Sequence, residues 1–178
     1  YNKNKKLIEN FNLEVKQGQK IAIVGPTGAG KSTMINLLMR FYDIDSGKIY
    51  VDNKEIREYN RKALRLSFGL VLQDPWLFGG TILANLKYGK KDATLNLKDG
   101  YNTVLDESSN LSVGQKQLLT IARALIIDPP ILILDEATSN IDTLMEQEIQ
   151  SAFNVVMKGK TSFVIAHRLK TIIDADVI

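Results

Sequence analysis

A glycine-rich loop between an apolar run and an amphipathic segment constrains this sequence more than any other feature. Its residues are Gly25, Pro26, Thr27, Gly28, Ala29, Gly30, Lys31 and Ser32. The apolar run at residues 21–24 has the length of a buried strand, and apolar residues recur at three- and four-residue spacing from Met34 to Phe41. That spacing gives one apolar face to a helix that begins near Lys31. The chain is therefore expected to contain a strand, a tight loop and a helix in direct succession.

Three further apolar runs predict more strands of the same kind. They lie at residues 70–72, 131–134 and 162–166. Strands that are buried on both faces of a parallel sheet read as continuous runs of this type. A second amphipathic helix covers about residues 113–127, and the prolines that follow end it because proline cannot continue a helix. Alternating residues at 7–15 and 48–51 add an antiparallel β element, so the predicted fold class is α/β with a mainly parallel sheet flanked by helices.

Length and composition narrow the class of protein. With 178 residues, of which 44% are hydrophobic, the chain can bury one sizeable core, and we expect a single domain over residues 1–178. The net charge is +3 with Lys and Arg spread along the chain, which argues against nucleic acid as a partner. No apolar run approaches the roughly 20 residues that a membrane helix requires. Cysteine is absent, which fits a reducing compartment, and the apolar final residues 177–178 suggest a chain cut from something longer.

The glycine-rich loop has the spacing of a phosphate-binding loop. Its glycines allow successive backbone N–H groups to point inward, and the N-terminus of the following helix adds partial positive charge. Lys31 would reach the β- and γ-phosphates, Ser32 would ligate magnesium, and Thr33 lies beside them in the first helical turn. An ordinary glycine turn is the alternative, but such a turn needs neither the strand before it nor the helix after it. We therefore predict that the chain binds ATP with magnesium and hydrolyses the ATP.

Two acidic residues follow the apolar run at residues 131–134. Asp135 and Glu136 would emerge at the carboxyl end of a buried parallel strand, which is where open α/β sheets bind ligands. Asp135 is expected to hold magnesium, directly or through water, and Glu136 to polarise the water that attacks the γ-phosphate. A solvated strand end is the alternative for the pair alone. The phosphate-binding loop favours the catalytic interpretation.

A capping motif precedes the second helix. Ser112 and Gln115 have the spacing of a capping box, in which each side chain bonds the backbone N–H of the other residue. A hydroxyl and free N–H groups at a helix start can also form an anion site. From spacing alone, a well-capped helix is the favoured interpretation.

Taken together and in order, these motifs resemble the nucleotide-binding domain of ABC transporters. The resemblance rests on the phosphate-binding loop, Gln73 after a strand, the signature run from Leu111 to Gln115, the acidic pair Asp135 and Glu136, and His167. It extends over nearly the whole chain. Residues 71–78 are similar to the exporter branch of the family, above all to multidrug and lipid exporters.

The resemblance implies a division of the chain and also reveals three departures. It implies a P-loop NTPase core at residues 1–73 and 128–178, a shortened helical subdomain at residues 74–127, and a transmembrane domain upstream. The third signature residue is usually Gly and is Val113 here, at a position that varies within the family. The segment at residues 90–110 is shorter than in family members. The chain also ends before the strand that normally follows residues 174–176, so one sheet edge is expected to be unpaired or to be completed by further residues.

The resemblance assigns further roles at the site. Two such domains would close head to tail around two ATP molecules, so that Ser112 and Gly114, with Gln115 beside them, contact the γ-phosphate held by the other domain. Gln73 would contact magnesium and the attacking water and link the site to the membrane part. His167 matches the residue that contacts the γ-phosphate, although a lone histidine is usually structural.

Two remaining positions follow from the same resemblance. Asp142 matches the loop that crosses the dimer interface, and its alternative role is to cap the next helix. Tyr1 lies where the family places an aromatic ring that stacks on adenine, an arrangement suited to a flat base.

The function implied by the resemblance is that of an ATPase domain at the cytoplasmic face of the cell membrane. It would drive the export of a substrate such as a drug or lipid, together with a transmembrane domain and an identical or paralogous second ATPase domain. A non-transport ABC ATPase acting on DNA, ribosomes or cluster assembly is one alternative. A regulatory module that binds ATP without hydrolysing it is another, and the intact Lys31, Glu136 and His167 argue against it.

Overall fold

The computed structural model describes residues 7–92, 101–105, 111–136, 141–166 and 168–178. Its strands are β1 (Lys20–Ile23), β2 (Tyr50–Val51), β3 (Lys54–Glu55), β4 (Phe68–Val71), β5 (Gly80–Thr81), β6 (Val104–Leu105), β7 (Ile131–Asp135) and β8 (Thr161–Ile165). Its α-helices are α1 (Lys31–Leu38), α2 (Arg61–Leu66), α3 (Ile82–Leu86), α4 (Val113–Ile127), α5 (Thr143–Met157) and α6 (Leu169–Ile173).

The central sheet confirms the predicted fold class. Four strands lie in the order β1-β8-β7-β4, and every neighbouring pair is parallel. These strands are the four apolar runs of the sequence, and their ends differ from the predicted ones by at most two residues. Because all four run in the same direction, their carboxyl ends meet at one edge of the sheet.

Helices cover both faces of this sheet, as the continuous apolar runs predict. On β7, Ile133 packs in a buried cluster with Ile35 of α1, whereas Leu132 and Leu134 pack in a second cluster with Phe153 of α5. Successive residues of a strand point to opposite faces, so a strand with a helical layer on each side is apolar at most positions. The helix predicted at residues 113–127 is α4, with the same bounds.

The antiparallel prediction is only partly correct. The pairing of β2 with β3 confirms an antiparallel element that begins within residues 48–51. The strand expected at residues 7–15 is wrong, because that segment has no regular secondary structure and Leu7, Phe11 and Leu13 are exposed. Alternation describes a strand with one buried face, and this segment pairs with no strand among the described residues.

Two further expectations concern helix and sheet ends. Phe41, expected on the apolar face of the first helix, lies beyond the end of α1 at Leu38 and is 45% exposed. The sheet edge expected to be unpaired carries a parallel bridge between Ile21 and Val177, whose carbonyl accepts a hydrogen bond of 2.8 Å from the N–H of Ala22.

Among the described helices, none is long and apolar enough to cross a membrane. The division into a core and a helical subdomain stays a prediction.

Candidate functional site

The carboxyl edge of the central sheet gathers most of the residues predicted to bind nucleotide. The glycine-rich loop follows β1, Gln73 follows β4, and Glu136 follows β7. The register places the last residues of three strands in one row, with Ile165 of β8 opposite both Ile23 of β1 and Asp135 of β7. The order of the strands therefore brings together residues that lie up to about a hundred positions apart in the chain.

The glycine-rich loop connects β1 to α1 through a tight turn. The N–H of Ala29 donates to the carbonyl of Pro26 at 3.1 Å, and Gly28 and Gly30 have φ angles of 82° and 96°. A side chain at either glycine would be strained, since residues other than glycine rarely adopt positive φ. Gly30 is the N-cap of α1 and supplies no side-chain hydrogen bond, so no side-chain cap occupies the N–H groups of the first turn. Exposed N–H groups of this kind form an anion-binding site.

The side chain of Lys31 folds back over this loop. Its Nζ donates to the carbonyl of Gly25 at 2.7 Å and to that of Pro26 at 3.1 Å. These bonds hold the positive charge of Lys31 against the backbone of the loop. Ser32 and Thr33 lie next to it in the first turn of α1, where Ser32 is exposed.

Glu136 is the most unusual residue of the site. Its exposed fraction is 1%, and neither carboxylate oxygen accepts a hydrogen bond from a described residue. Its backbone N–H donates to the carbonyl of Ile165 at 3.3 Å, which holds the residue at the end of β7. A buried carboxylate without a donor is costly, and a bound cation or an ordered water normally satisfies such a group. Asp135 precedes it at the end of β7 and is half-buried.

The signature residues lie at the start of α4. Ser112 is the N-cap, its hydroxyl oxygen accepts from the N–H of Gln115 at 3.2 Å, and its own N–H donates to the side-chain oxygen of Gln115 at 3.0 Å. The capping box predicted from spacing is confirmed. Gly114 is buried against α5, and a Cβ there would lie 2.2 Å from Cγ of Met145. This glycine therefore permits close packing of α4 on α5.

Asp142 caps α5, which is the alternative that the sequence left open. Its side-chain oxygen accepts from the backbone N–H of Met145 at 3.0 Å. The cap leaves the expected interface role of Asp142 as a prediction, because a capping carboxylate has further acceptor positions. Tyr1 and His167 lie outside the described residues, and so do residues 93–100 and 106–110 of the segment expected to be short.

Sequence reasoning missed a group of polar residues beside Gln73. Gln117 of α4 is 3% exposed, and its side-chain nitrogen donates to the carbonyl of Leu72 at 3.2 Å. Arg123 of the same helix donates to the carbonyl of Trp76 at 2.6 Å and to that of Asn85 at 2.7 Å. A signal for Gln117 was present, since it shares the buried stripe of α4 with Gly114, Ile121 and Ala124, where apolar residues are expected.

The comparisons with known proteins agree with this geometry. Residues 8–139 match the sequence model of the ABC transporter family. An uncharacterized ABC transporter ATP-binding protein of Bacillus subtilis, YfiC, is 49% identical over 100% of this chain and 32% of its own length. A fatty acid ABC transporter ATP-binding/permease protein of Mycobacterium bovis is 47% identical over 97% of this chain and 30% of its own length.

The solved structures give the same result. The structure of a bacterial Atm1-family ABC exporter with ATP bound is similar to this chain with a TM-score of 0.85 and 40% sequence identity, over 99% of this chain and 34% of that chain. The chain thus spans about a third of the length of the relatives that it matches. Both the sequence match and the parallel sheet with its glycine-rich loop lead to one assignment. The chain belongs to the ABC transporter family, as an ATP-binding domain of the type that hydrolyses ATP.

Proposed function

We propose that this chain is the ATP-driven motor of an exporter. In this role it binds ATP with Mg²⁺, closes head to tail on a second ATPase domain, and hydrolyses ATP to drive transport by a transmembrane domain. The observation that carries the proposal is the buried carboxylate of Glu136 at the sheet edge that holds the phosphate-binding loop. A position of this kind suits a group that must meet a water molecule away from bulk solvent.

Nucleotide binding depends on the loop from Gly25 to Ser32. The N–H groups at the start of α1 bind phosphate oxygens, and Lys31 exchanges the carbonyls of Gly25 and Pro26 for the β- and γ-phosphates. Ser32, Asp135 and Gln73 would hold Mg²⁺. That ion, when bound, neutralises charge on the phosphate oxygens. Phosphate oxygens and water molecules would complete the ligand set of the ion, as is usual for Mg²⁺.

Hydrolysis requires a water molecule in line with the γ-phosphate. Glu136 orients this water and accepts its proton, and no described residue donates a hydrogen bond that would compete with the water for its carboxylate oxygens. Gln73 contacts the water from the end of β4, and His167 contacts the γ-phosphate from the position after Ala166 at the end of β8. These roles are proposed from the family pattern together with the strand order.

The signature residues act on the ATP held by the second domain. The hydroxyl oxygen of Ser112 accepts from the N–H of Gln115, so the hydroxyl hydrogen is available to donate to a phosphate oxygen. Gly114 and Gln115 complete the helix start, and Asp142 lies at the start of α5, against which Gly114 packs. To shift the population from 1:99 open to 99:1 closed, these contacts must favour the closed dimer by about 5.5 kcal/mol.

An exporter is favoured over a non-transport ABC ATPase by the names of the relatives. The protein of Mycobacterium bovis is called a fatty acid ABC transporter ATP-binding/permease protein, and the structural relative is an ABC exporter. By analogy, this chain would be joined to or associated with a permease and act at the cytoplasmic face of the membrane. A lipid or a drug is the proposed class of cargo, and the second ATPase domain is an identical or a paralogous chain.

The first experiment measures the mass of the Glu136→Gln variant by light scattering, with and without ATP and magnesium. The starting concentration is one at which the nucleotide-free variant is monomeric. We expect ATP to produce dimers, because the variant keeps the loop that binds ATP and lacks the residue that hydrolyses it. Its turnover should fall by roughly a hundredfold or more. Lys31→Ala, which loses the phosphate contact, is the control that should stay monomeric.

Two results would contradict the proposal. Unchanged turnover in Glu136→Gln would remove Glu136 from the catalytic role. A variant that binds ATP and stays monomeric, also when the permease and the partner domain are supplied, would contradict the head-to-tail mechanism. Glu148→Gln makes the same chemical change at an exposed position on α5 and should hydrolyse ATP at the rate of the unchanged protein.

A further inference from the structure

Helix α4 holds the segment around Gln73 on both sides. Before Gln73, the carbonyl of Leu72 accepts a hydrogen bond of 3.2 Å from the side chain of Gln117. After it, the carbonyl of Trp76 accepts one of 2.6 Å from Nη1 of Arg123. Both donors belong to the helix that carries Ser112 at its N-terminus. The segment from residue 72 to residue 76 is thus tied to the signature helix at two points.

The hydrogen bond from Gln117 to Leu72 lies just beyond the end of the central sheet. The last paired residues of β4 and β7 are Val71 and Leu134, so the carbonyl of Leu72 lies just beyond the ladder. Gln117 is 3% exposed, whereas the side chain of Gln73 is exposed. A buried donor therefore fixes the backbone immediately before a side chain that is free to reach the site. Loss of this donor would leave a carbonyl without its partner and allow the strand end to move.

The hydrogen bond from Arg123 to Trp76 is part of a larger network of hydrogen bonds. Its Nε donates to the carbonyl of Asn85 at 2.7 Å, and its Nη2 also bonds the Asn85 side chain. Asn85 is fully buried and bonds the backbone of Phe78 in both directions, at 3.2 Å and 3.0 Å. The guanidinium lies 5.9 Å from the ring centroid of Phe78 and 5.7 Å from that of Tyr88. These bonds attach the residues that follow Gln73 to α4.

We propose that Gln117 and Arg123 are positioning residues for Gln73, and that they make the placement of its side chain depend on the placement of the signature helix. The proposal rests on the proposed function, because it assumes that Gln73 acts in hydrolysis. Gln117 lies five positions after Ser112, which is about 7.5 Å along an α-helix. If α4 shifts when Ser112 docks on the second domain, the hydrogen bonds from Gln117 and Arg123 to the carbonyls of Leu72 and Trp76 therefore move the segment around Gln73 with it.

The test is a double-mutant cycle in the purified full-length protein, with Gln117→Met and Gln73→Ala. Methionine keeps the length of the side chain and removes the N–H donor. We expect Gln117→Met to lower kcat for ATP hydrolysis by about tenfold, because small misplacements of a catalytic group have effects of at least this size. KM for ATP should stay within about twofold, since the phosphate-binding loop is unchanged. Gln147→Met, at an exposed position on α5, is the matched control and should leave kcat unchanged.

The double variant shows whether Gln117 acts by positioning Gln73 or only by stabilising the protein. If Gln117 acts through Gln73, adding Gln117→Met to Gln73→Ala lowers kcat no further, because the positioned side chain is already gone. If the two losses multiply, or if Gln117→Met has the kcat of the unchanged protein while Gln73→Ala is slow, the positioning role is overturned. If Gln73→Ala itself is as fast as the unchanged protein, the proposed function of Gln73 fails instead.

Arg123→Lys provides the second variant should Gln117→Met fail to fold. Lysine keeps the charge and loses the planar fork that reaches two carbonyls at once. The same cycle with Gln73→Ala then applies, and the same non-additivity is expected. Full additivity in this cycle overturns the proposal in the same way as for Gln117.

Discussion

Replacing Glu136 with glutamine should stabilise the nucleotide-free protein while it slows hydrolysis by roughly a hundredfold or more. Glu136 is 1% exposed, and both carboxylate oxygens lack a hydrogen-bond donor among the described residues. A buried carboxylate in this position has lost its hydration without replacement. Glutamine has nearly the same shape and no charge, so its burial costs less. The residue proposed to act in catalysis is therefore also a local source of instability.

The size of the effect follows from the cost of an unsatisfied buried group. Such a group costs about 1–3 kcal/mol, and more when it is charged. The amide of glutamine still has polar atoms to satisfy, so we expect a net gain near the middle of that range. A gain of about 2 kcal/mol raises Tm by about 4–8 °C in a protein of this size.

The assay is thermal unfolding of the chain by calorimetry, in the absence of nucleotide and with a chelator to remove Mg²⁺. Glu148→Gln is the control, because this exposed position on α5 should change stability by less than about 0.5 kcal/mol. An unchanged or lower Tm for Glu136→Gln would refute the reasoning. That result would mean that donors satisfy the carboxylate in the folded protein.

Two further predictions concern the stability of the fold. Gly69→Ala in β4 should cost about 1–3 kcal/mol by overpacking, because its Cβ would lie 2.5 Å from Cγ of Pro129 and 3.0 Å from Cδ2 of Leu132. Urea unfolding measures this loss of stability. Adding Pro129→Ala to Gly69→Ala should restore part of the lost stability. A Gly69→Ala variant as stable as the unchanged protein would contradict the close approach of Gly69 to Pro129. Asp128→Asn should lower Tm at pH 7, because the hydrogen bond and charge of Lys160 lower the pKa of Asp128 below its ordinary value of 3.8. A carboxyl whose pKa is lowered by folding stabilises the protein fully above its unfolded pKa, and the contribution disappears as the pH falls through the folded pKa. The Tm difference between Asp128→Asn and the unchanged protein should vanish at a pH below the folded pKa of Asp128. An equal Tm difference there and at pH 7 would contradict a stabilising contact between Asp128 and Lys160.

Local patterns predicted the four strands of the central sheet and the helices α1 and α4. The four central strands differ from the predicted runs by at most two residues, and α4 has the predicted bounds. The capping box of Ser112 and Gln115 was also readable, since both of its bonds join residues three positions apart. Each of these features depends on neighbours in the chain, so the sequence alone contains the necessary information.

Features that depend on contacts between residues far apart in the chain were harder to predict from the sequence. The alternation at residues 7–15 was read as a strand, but a strand needs a second strand beside it, and periodicity cannot say whether one is present. Gln117 looked like one more residue of an amphipathic helix. Its partner, the carbonyl of Leu72, lies 45 positions earlier in the chain. Only the packing of α4 on β4 creates that contact.

The sequence by itself determined which chemical groups this protein can offer: a glycine-rich loop with the spacing of a phosphate-binding loop, a pair of acidic residues and a helix that begins with a capping box. The tertiary structure decided how these parts meet. The parallel order β1-β8-β7-β4 brings the loop and the acids to one edge, where Glu136 is buried. The difference has a physical reason, because caps and turns arise from interactions over a few residues, whereas burial and strand order are properties of the whole packed chain.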